Sequence, residues 1–144
     1  MLNKIPKILP PDLVKIMMQM GHGDEMVIGD GNYPADSMGT RVVRLDGHNV
    51  PEVLDAVLEL MPLDPYVEKP TALMEVVPGD TSVPAEPPVW NIYQEILARH
   101  GHTIPSERVE RFAFYERAKK AFVIVATSEP RTYANIILKK GIVK

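Results

Sequence analysis

Two hydrophobic periods alternate along this chain, and the alternation limits it to folds in which helices pack on a sheet. Val50, Val53, Leu54, Val57, Leu58 and Met61 keep a helical spacing through three turns, and Pro51 suits the first of them. Leu13, Ile16, Met17 and Met20 repeat that spacing over residues 11–20, between Pro10 and Gly21. A third helical face, Val89, Tyr93, Ile96, Leu97 and His100, covers residues 89–100. Short apolar runs of strand character stand between and after these helices, at residues 25–29, 41–45, 72–77, 121–127 and 134–138. Residues 106–120 fit either one amphipathic helix or a strand at 108–112 followed by a helix. The expectation is a single α/β domain over residues 1–144, with no internal repeat.

Fourteen prolines, nearly double the usual share of about 5%, fall mostly between the periodic segments. They fix φ and stiffen connectors such as residues 61–70 and 78–88. The second of these is too short to link two domains.

Composition excludes several kinds of chemistry. The chain has no cysteine, so disulfides, thiolate metal sites and cysteine nucleophiles are all ruled out. Net charge is −3, and the basic pairs Lys119-Lys120 and Lys139-Lys140 are too short to form a nucleic-acid surface. No segment approaches the roughly 20 apolar residues of a membrane helix. Residues 1–11 lack the apolar run of a signal peptide. A cytoplasmic protein with no nucleic-acid or membrane partner is expected. His48, His100 and His102 have no metal-ligand spacing, and there is neither a glycine-rich phosphate loop nor a Gly-x-Ser-x-Gly elbow. No metal and no cofactor is therefore expected.

Three short segments carry chemical potential. His22 sits in Gly21-His22-Gly23-Asp24, between a helix and a buried strand. Imidazole exchanges a proton near neutral pH, and the flanking glycines leave space beside it. The alternative is a turn residue that caps carbonyls. Asp30 follows the first strand, and ligands of α/β folds gather beyond the C-terminal ends of strands. It also suits an Asx-turn. In a helix, Arg111 and Tyr115 stand at i and i+4 and point the same way, which suits a polyhydroxylated ligand. A core aromatic beside a surface ion pair is the plainer account. Tyr133 and Asn135 flank one small residue, and an extended segment would point both to one side. Spacing alone does not bring His22 and Asp30 together. They lie at opposite ends of one strand and would meet across a subunit boundary or by the chain folding back.

Taken together, these segments resemble the family of L-fucose mutarotases and D-ribose pyranases. The likeness runs nearly end to end. It is carried by Met20-Gly21-His22-Gly23-Asp24-Glu25, by Asp30 with Pro34-Ala35 and Ser37-Met38-Gly39, by Arg111-Phe112-Ala113-Phe114-Tyr115-Glu116-Arg117-Ala118, and by the run Tyr133 to Gly141. The Arg-Phe-Ala-Phe-Tyr-Glu-Arg run resembles the fucose branch, whereas the ribose branch has a histidine about where Tyr115 stands. The resemblance implies a layered α/β/α sandwich with a mixed central sheet, in which residues 106–120 split into strand and helix. It implies an isomerase that exchanges the anomers of L-fucose, with D-ribose as a second substrate. It further implies a homo-oligomer, a decamer, with sites built from neighbouring subunits. His22 matches the family's acid/base histidine. Asp30, Arg111, Tyr133 and Asn135 match sugar-binding positions, and Tyr115 matches one close to the sugar. Departures fall at Gly29, Asn32, Tyr33 and Ala134, and residues 78–105 match least. Two other readings remain: a ribose pyranase, and a non-catalytic monosaccharide-binding protein.

Overall fold

In the computed structural model, which describes residues 1–144, the chain runs α1 (Pro11–Gln19), β1 (Glu25–Gly29), α2 (Ala35–Met38), β2 (Val42–Leu45), α3 (Val50–Leu60) and β3 (Thr71–Met74). It continues through α4 (Pro88–Arg99), β4 (Glu107–Val109), α5 (Arg111–Lys119), β5 (Val123–Thr127) and β6 (Ile136–Lys139). The helices start where local chemistry satisfies their free N–H groups. Prolines stand in the first turns of α1, α3 and α4. The Glu52 carboxylate accepts the Asn49 N–H at 2.8 Å. At α5 the Glu110 carboxylate accepts the N–H groups of Phe112 and Ala113, both at 3.0 Å. Residues 106–120 do divide into strand and helix, but the break falls at Glu110. Arg111 and Phe112 are therefore helical.

The six strands form one sheet in the order β2-β5-β1-β6-β3-β4. β5 is parallel to β1 and β2, and β4 is parallel to β3. β6 is antiparallel to both of its neighbours, β1 and β3. Five strands thus share one direction and β6 alone opposes them. This mixed sheet has one consequence for the site: the entry to β6 lies beside the exits of β1 and β3.

Alternate strand residues face opposite sides of the sheet. Met26, Ile28, Val123, Val125, Ile136 and Leu138 join α1, α3 and α4 in a core of 27 buried residues. Val27, Ile124, Ile137, Ala72 and Met74 join α2 and α5 in a core of 11. The result is the expected α/β/α sandwich, with unequal layers. A fully buried aliphatic side chain stabilises by about 1.5–3 kcal/mol, so the larger layer carries most of the fold's stability. The thinner layer leaves room at the strand exits. No helix is long and apolar enough to cross a membrane.

Candidate active site

Asp30 follows β1, and Tyr133, Ala134 and Asn135 lead into β6. The two segments are tied together directly. The Asn135 Oδ1 accepts the Asp30 N–H at 2.8 Å, and the Ala134 N–H donates to Asp30 Oδ2 at 3.4 Å. Asn32 N–H donates to Asp30 Oδ1 at 3.0 Å, which is the Asx-turn expected there. Asp30 is buried, and burial pushes its pKa up. The Asn32 and Ala134 N–H groups pull it partly back, and the nearby Glu129 opposes them. The site thus holds a desolvated carboxyl group, where each hydrogen bond is stronger than in water.

A cavity of about 210 Å³ opens over these residues, lined among others by Asp30, Tyr33, Arg111, Tyr115, Tyr133 and Asn135. Drug-sized pockets span about 300–1,000 Å³, so this one is scaled to a single small ligand. Within α5 the Arg111 Nε donates to Tyr115 Oη at 3.3 Å, the i,i+4 pairing read from the spacing.

Tyr133 departs from expectation. Its φ is +57°, in the left-handed region, so the Tyr133-Ala134-Asn135 segment is not extended. Helix α4 holds this turn in place. Trp90 Nε1 donates to the Tyr133 carbonyl at 2.8 Å, and Tyr93 Oη donates to the Ala134 carbonyl at 2.7 Å. The phenol and the amide still reach one cavity, through a turn instead of a strand. Left-handed backbone at a non-glycine residue is costly and gathers at functional sites. Tyr133 Oη donates to Asp80 Oδ2 at 2.5 Å. The Ser82 hydroxyl and then that of Tyr133 hold the Asp80 carboxyl below the ordinary range.

His22 lies at the other end of β1. Gly23 takes φ +85°, which only glycine adopts freely, and its N–H donates to the Lys140 carbonyl at 2.8 Å. The imidazole does not cap α1. Its Nε2 meets Asp64 Oδ1 at 3.0 Å, and its ring lies 5.5 Å from that of Tyr66. The Tyr66 N–H and then His22 itself lower the Asp64 pKa, so Asp64 stays ionised and can only accept. Nε2 therefore carries the proton, and Nδ1 is the nitrogen left to exchange one. The His22 side chain is 44% exposed. Five strand residues at about 3.3 Å each put roughly 16 Å between this turn and the cavity. One chain thus unites Asp30, Arg111, Tyr115, Tyr133 and Asn135, and leaves His22 apart from them.

Three residues that sequence reasoning missed now stand out: Asp64 behind His22, Asp80 under Tyr133, and Tyr33 in the cavity wall. Asp64 and Asp80 sit in the two proline-rich connectors, which carry no periodic signal. Asp64-Pro65-Tyr66 and Asp80-Thr81-Ser82 do have the residue types of Asx-turns, and that was the available clue.

Comparison with known proteins bears on the family and the fold. The model of the RbsD / FucU transport protein family matches residues 3–143. A fucose mutarotase from Homo sapiens is 49% identical over 144 residues, covering 98% of this chain and 94% of the human protein. The crystal structure of a fucose mutarotase from Streptococcus pneumoniae in complex with L-fucose superposes with a TM-score of 0.92 at 49% identity, covering 99% of this chain and all of that one. Bacillus subtilis RbsD complexed with D-ribose shares the fold, with a TM-score of 0.71 at 21% identity, over 94% of this chain and 95% of that one. A single family model spanning nearly every residue, with close relatives of the same length, places this chain in the RbsD / FucU family.

Proposed function

We infer that this protein is an isomerase that interconverts the α and β anomers of L-fucose by opening and reclosing the sugar ring. The observation that carries this reading is the cavity itself. It gathers a buried carboxyl, a guanidinium, three phenols and an amide in a chain half identical to a fucose mutarotase that holds L-fucose.

Ring opening takes a proton from the anomeric hydroxyl and gives one to the ring oxygen, and closure on the other carbonyl face reverses both transfers. The chemistry needs fixed hydroxyls and a group that moves protons near neutral pH. Asp30 accepts from sugar hydroxyls. Asn135 has committed its oxygen to the Asp30 N–H, and its Nδ2 meets only Met74 Sδ at 3.9 Å, so it is free to donate to the sugar. Arg111 donates from the cavity rim, Tyr133 offers a lone pair on its hydroxyl, and Tyr115 borders the ring. His22 moves the proton through Nδ1. The uncatalysed reaction already proceeds in water, so an acid/base gain of about 10²–10⁴ suffices.

His22 reaches the sugar from a second copy of the chain. Three features support this: its distance from its own cavity, its exposure, and the exposed Met18, Tyr66 and Val143 among the apolar residues of the chain. Such a contact between unlike surfaces closes into rings, as a decamer requires. The cysteine-free sequence suits a reducing cytoplasm.

Exchange NMR on L-fucose tests the reading. The protein should accelerate α/β exchange, and His22→Ala should return it to the buffer rate. Fucose binding with no acceleration would make the protein a sugar-binding module instead. Faster exchange of ribose ring forms than of fucose anomers would make it a ribose pyranase.

A further inference from the structure

Tyr33 carries a hydroxyl that the mechanism above does not use. The residue is 8% exposed and lines the cavity. Its Oη is the only buried side-chain oxygen or nitrogen in the chain with no hydrogen-bond partner. Burying a hydroxyl unpaired is unfavourable, and phenylalanine would fill the same space without that penalty.

The ring is fixed from several sides. Gly29 lies so close that a Cβ there would stand 2.8 Å from three Tyr33 atoms. Phe114 meets the ring edge-on at 6.1 Å between centroids, and Tyr115 lies at 5.8 Å. The hydroxyl is thus held in place with both of its hydrogen-bonding capacities open. The other cavity groups are partly spent. Tyr133 donates to Asp80, Tyr115 accepts from Arg111, and the Asn135 oxygen accepts from Asp30. Burial, then Tyr115 and Asp30, push the Tyr33 pKa far up, so the group stays an O–H that can both donate and accept. A sugar hydroxyl asks for that pairing. Tyr115, whose ring lies beside that of Tyr33, is half-buried and tied by one long bond.

We propose that Tyr33 Oη hydrogen-bonds one hydroxyl of the bound monosaccharide and so selects which hydroxyl pattern the cavity accepts. The proposal rests on the sugar-site reading of the cavity. Its test is Tyr33→Phe, which keeps the ring and its packing. L-Fucose and its monodeoxy analogues are titrated against both proteins, and thermal unfolding is followed without sugar. The variant should melt at the parental temperature or above. It should bind L-fucose about 10-fold more weakly, the equivalent of 1.4 kcal/mol. One deoxy analogue, the one lacking the contacted hydroxyl, should bind both proteins alike. Fucose affinities within about twofold, or equal weakening for every analogue with a lowered melting temperature, would overturn the proposal. Anomer exchange by the parent separates this from the function itself. A parent that binds fucose at the buffer exchange rate defeats the mutarotase reading, and the affinity comparison still decides Tyr33. A parent that binds no fucose defeats both.

Discussion

Replacing Gly29 with alanine would put a methyl group where Tyr33 already stands. The new Cβ would lie 2.8 Å from the Cβ, Cγ and Cδ1 of Tyr33, about 0.6 Å inside the 3.4 Å at which ordinary contact begins. The ring has little room to yield. Phe114 behind it is fully buried, so the free direction is toward Tyr115 and the cavity. Two effects oppose each other. Overpacking a filled site costs about 1–3 kcal/mol. Gly29 has no positive φ, so alanine fits the backbone there and restricts the unfolded chain, worth about 0.4–1 kcal/mol in the other direction. The steric term wins, for a net loss near 1–2 kcal/mol, or roughly 3–8 °C in melting temperature for a chain of this length. The displaced ring also narrows the cavity, so affinity for L-fucose should fall in the same variant. Calorimetric melting with a fucose titration checks both. A Gly29→Ala protein that melts within a degree of the parent and binds fucose equally would refute the claim that Tyr33 is clamped against β1.

Asp64→Asn removes the ionised acceptor that fixes the His22 tautomer. Exchange NMR should show a maximal rate lowered by about 10–100-fold with little change in half-saturation by fucose; a change confined to saturation would contradict the positioning role. Arg131→Ala leaves Glu129 buried with only backbone donors, Arg131 and Val50 N–H. Arg131 is partly exposed, so urea unfolding should show a loss at or just below the low end of the usual ~3–5 kcal/mol, about 2–3 kcal/mol. Burial raises the Glu129 pKa, but the Arg131 bonds and the backbone N–H groups outweigh it and leave the carboxyl below its ordinary range. A depressed carboxyl stabilises the fold above its unfolded pKa, about 4.3, and that stability drains away as pH falls through the folded value. Glu129→Gln should therefore flatten the acid side of the stability curve below about pH 4 relative to the parent, as measured by urea unfolding at stepped pH.

Most of the frame was legible because strands and helices announce themselves by period. α3 and β5 are strongly apolar at the right intervals and formed where expected. α2 was not legible, since four residues make too short a window for any period. α5 was ambiguous because only Phe114 and Ala118 of its nine residues are buried, while Phe112 is 67% exposed. Its amphipathic stripe is therefore thin. Sheet order is a long-range property, and no local spacing reports that β6 enters between β1 and β3. That insertion is what brings Asn135 to Asp30 across 105 residues. The same limit explains Tyr133, whose left-handed backbone comes from Trp90 and Tyr93 grasping its turn. Tyr33 gives no signal in the sequence, because a missing hydrogen-bond partner shows only once every neighbour is placed.

The central claim is that the sugar-binding groups of one copy work with His22 of another. Subunit complementation tests it most directly. His22→Ala and Asp30→Asn proteins, each inactive in α/β exchange of L-fucose, are mixed, dissociated and reassembled. If each site takes Asp30 from one copy and His22 from the next, random reassembly restores both in about one site in four, and exchange should return to roughly a quarter of the parental rate. A mixture that stays at the buffer rate, although its components reassemble, would contradict the account.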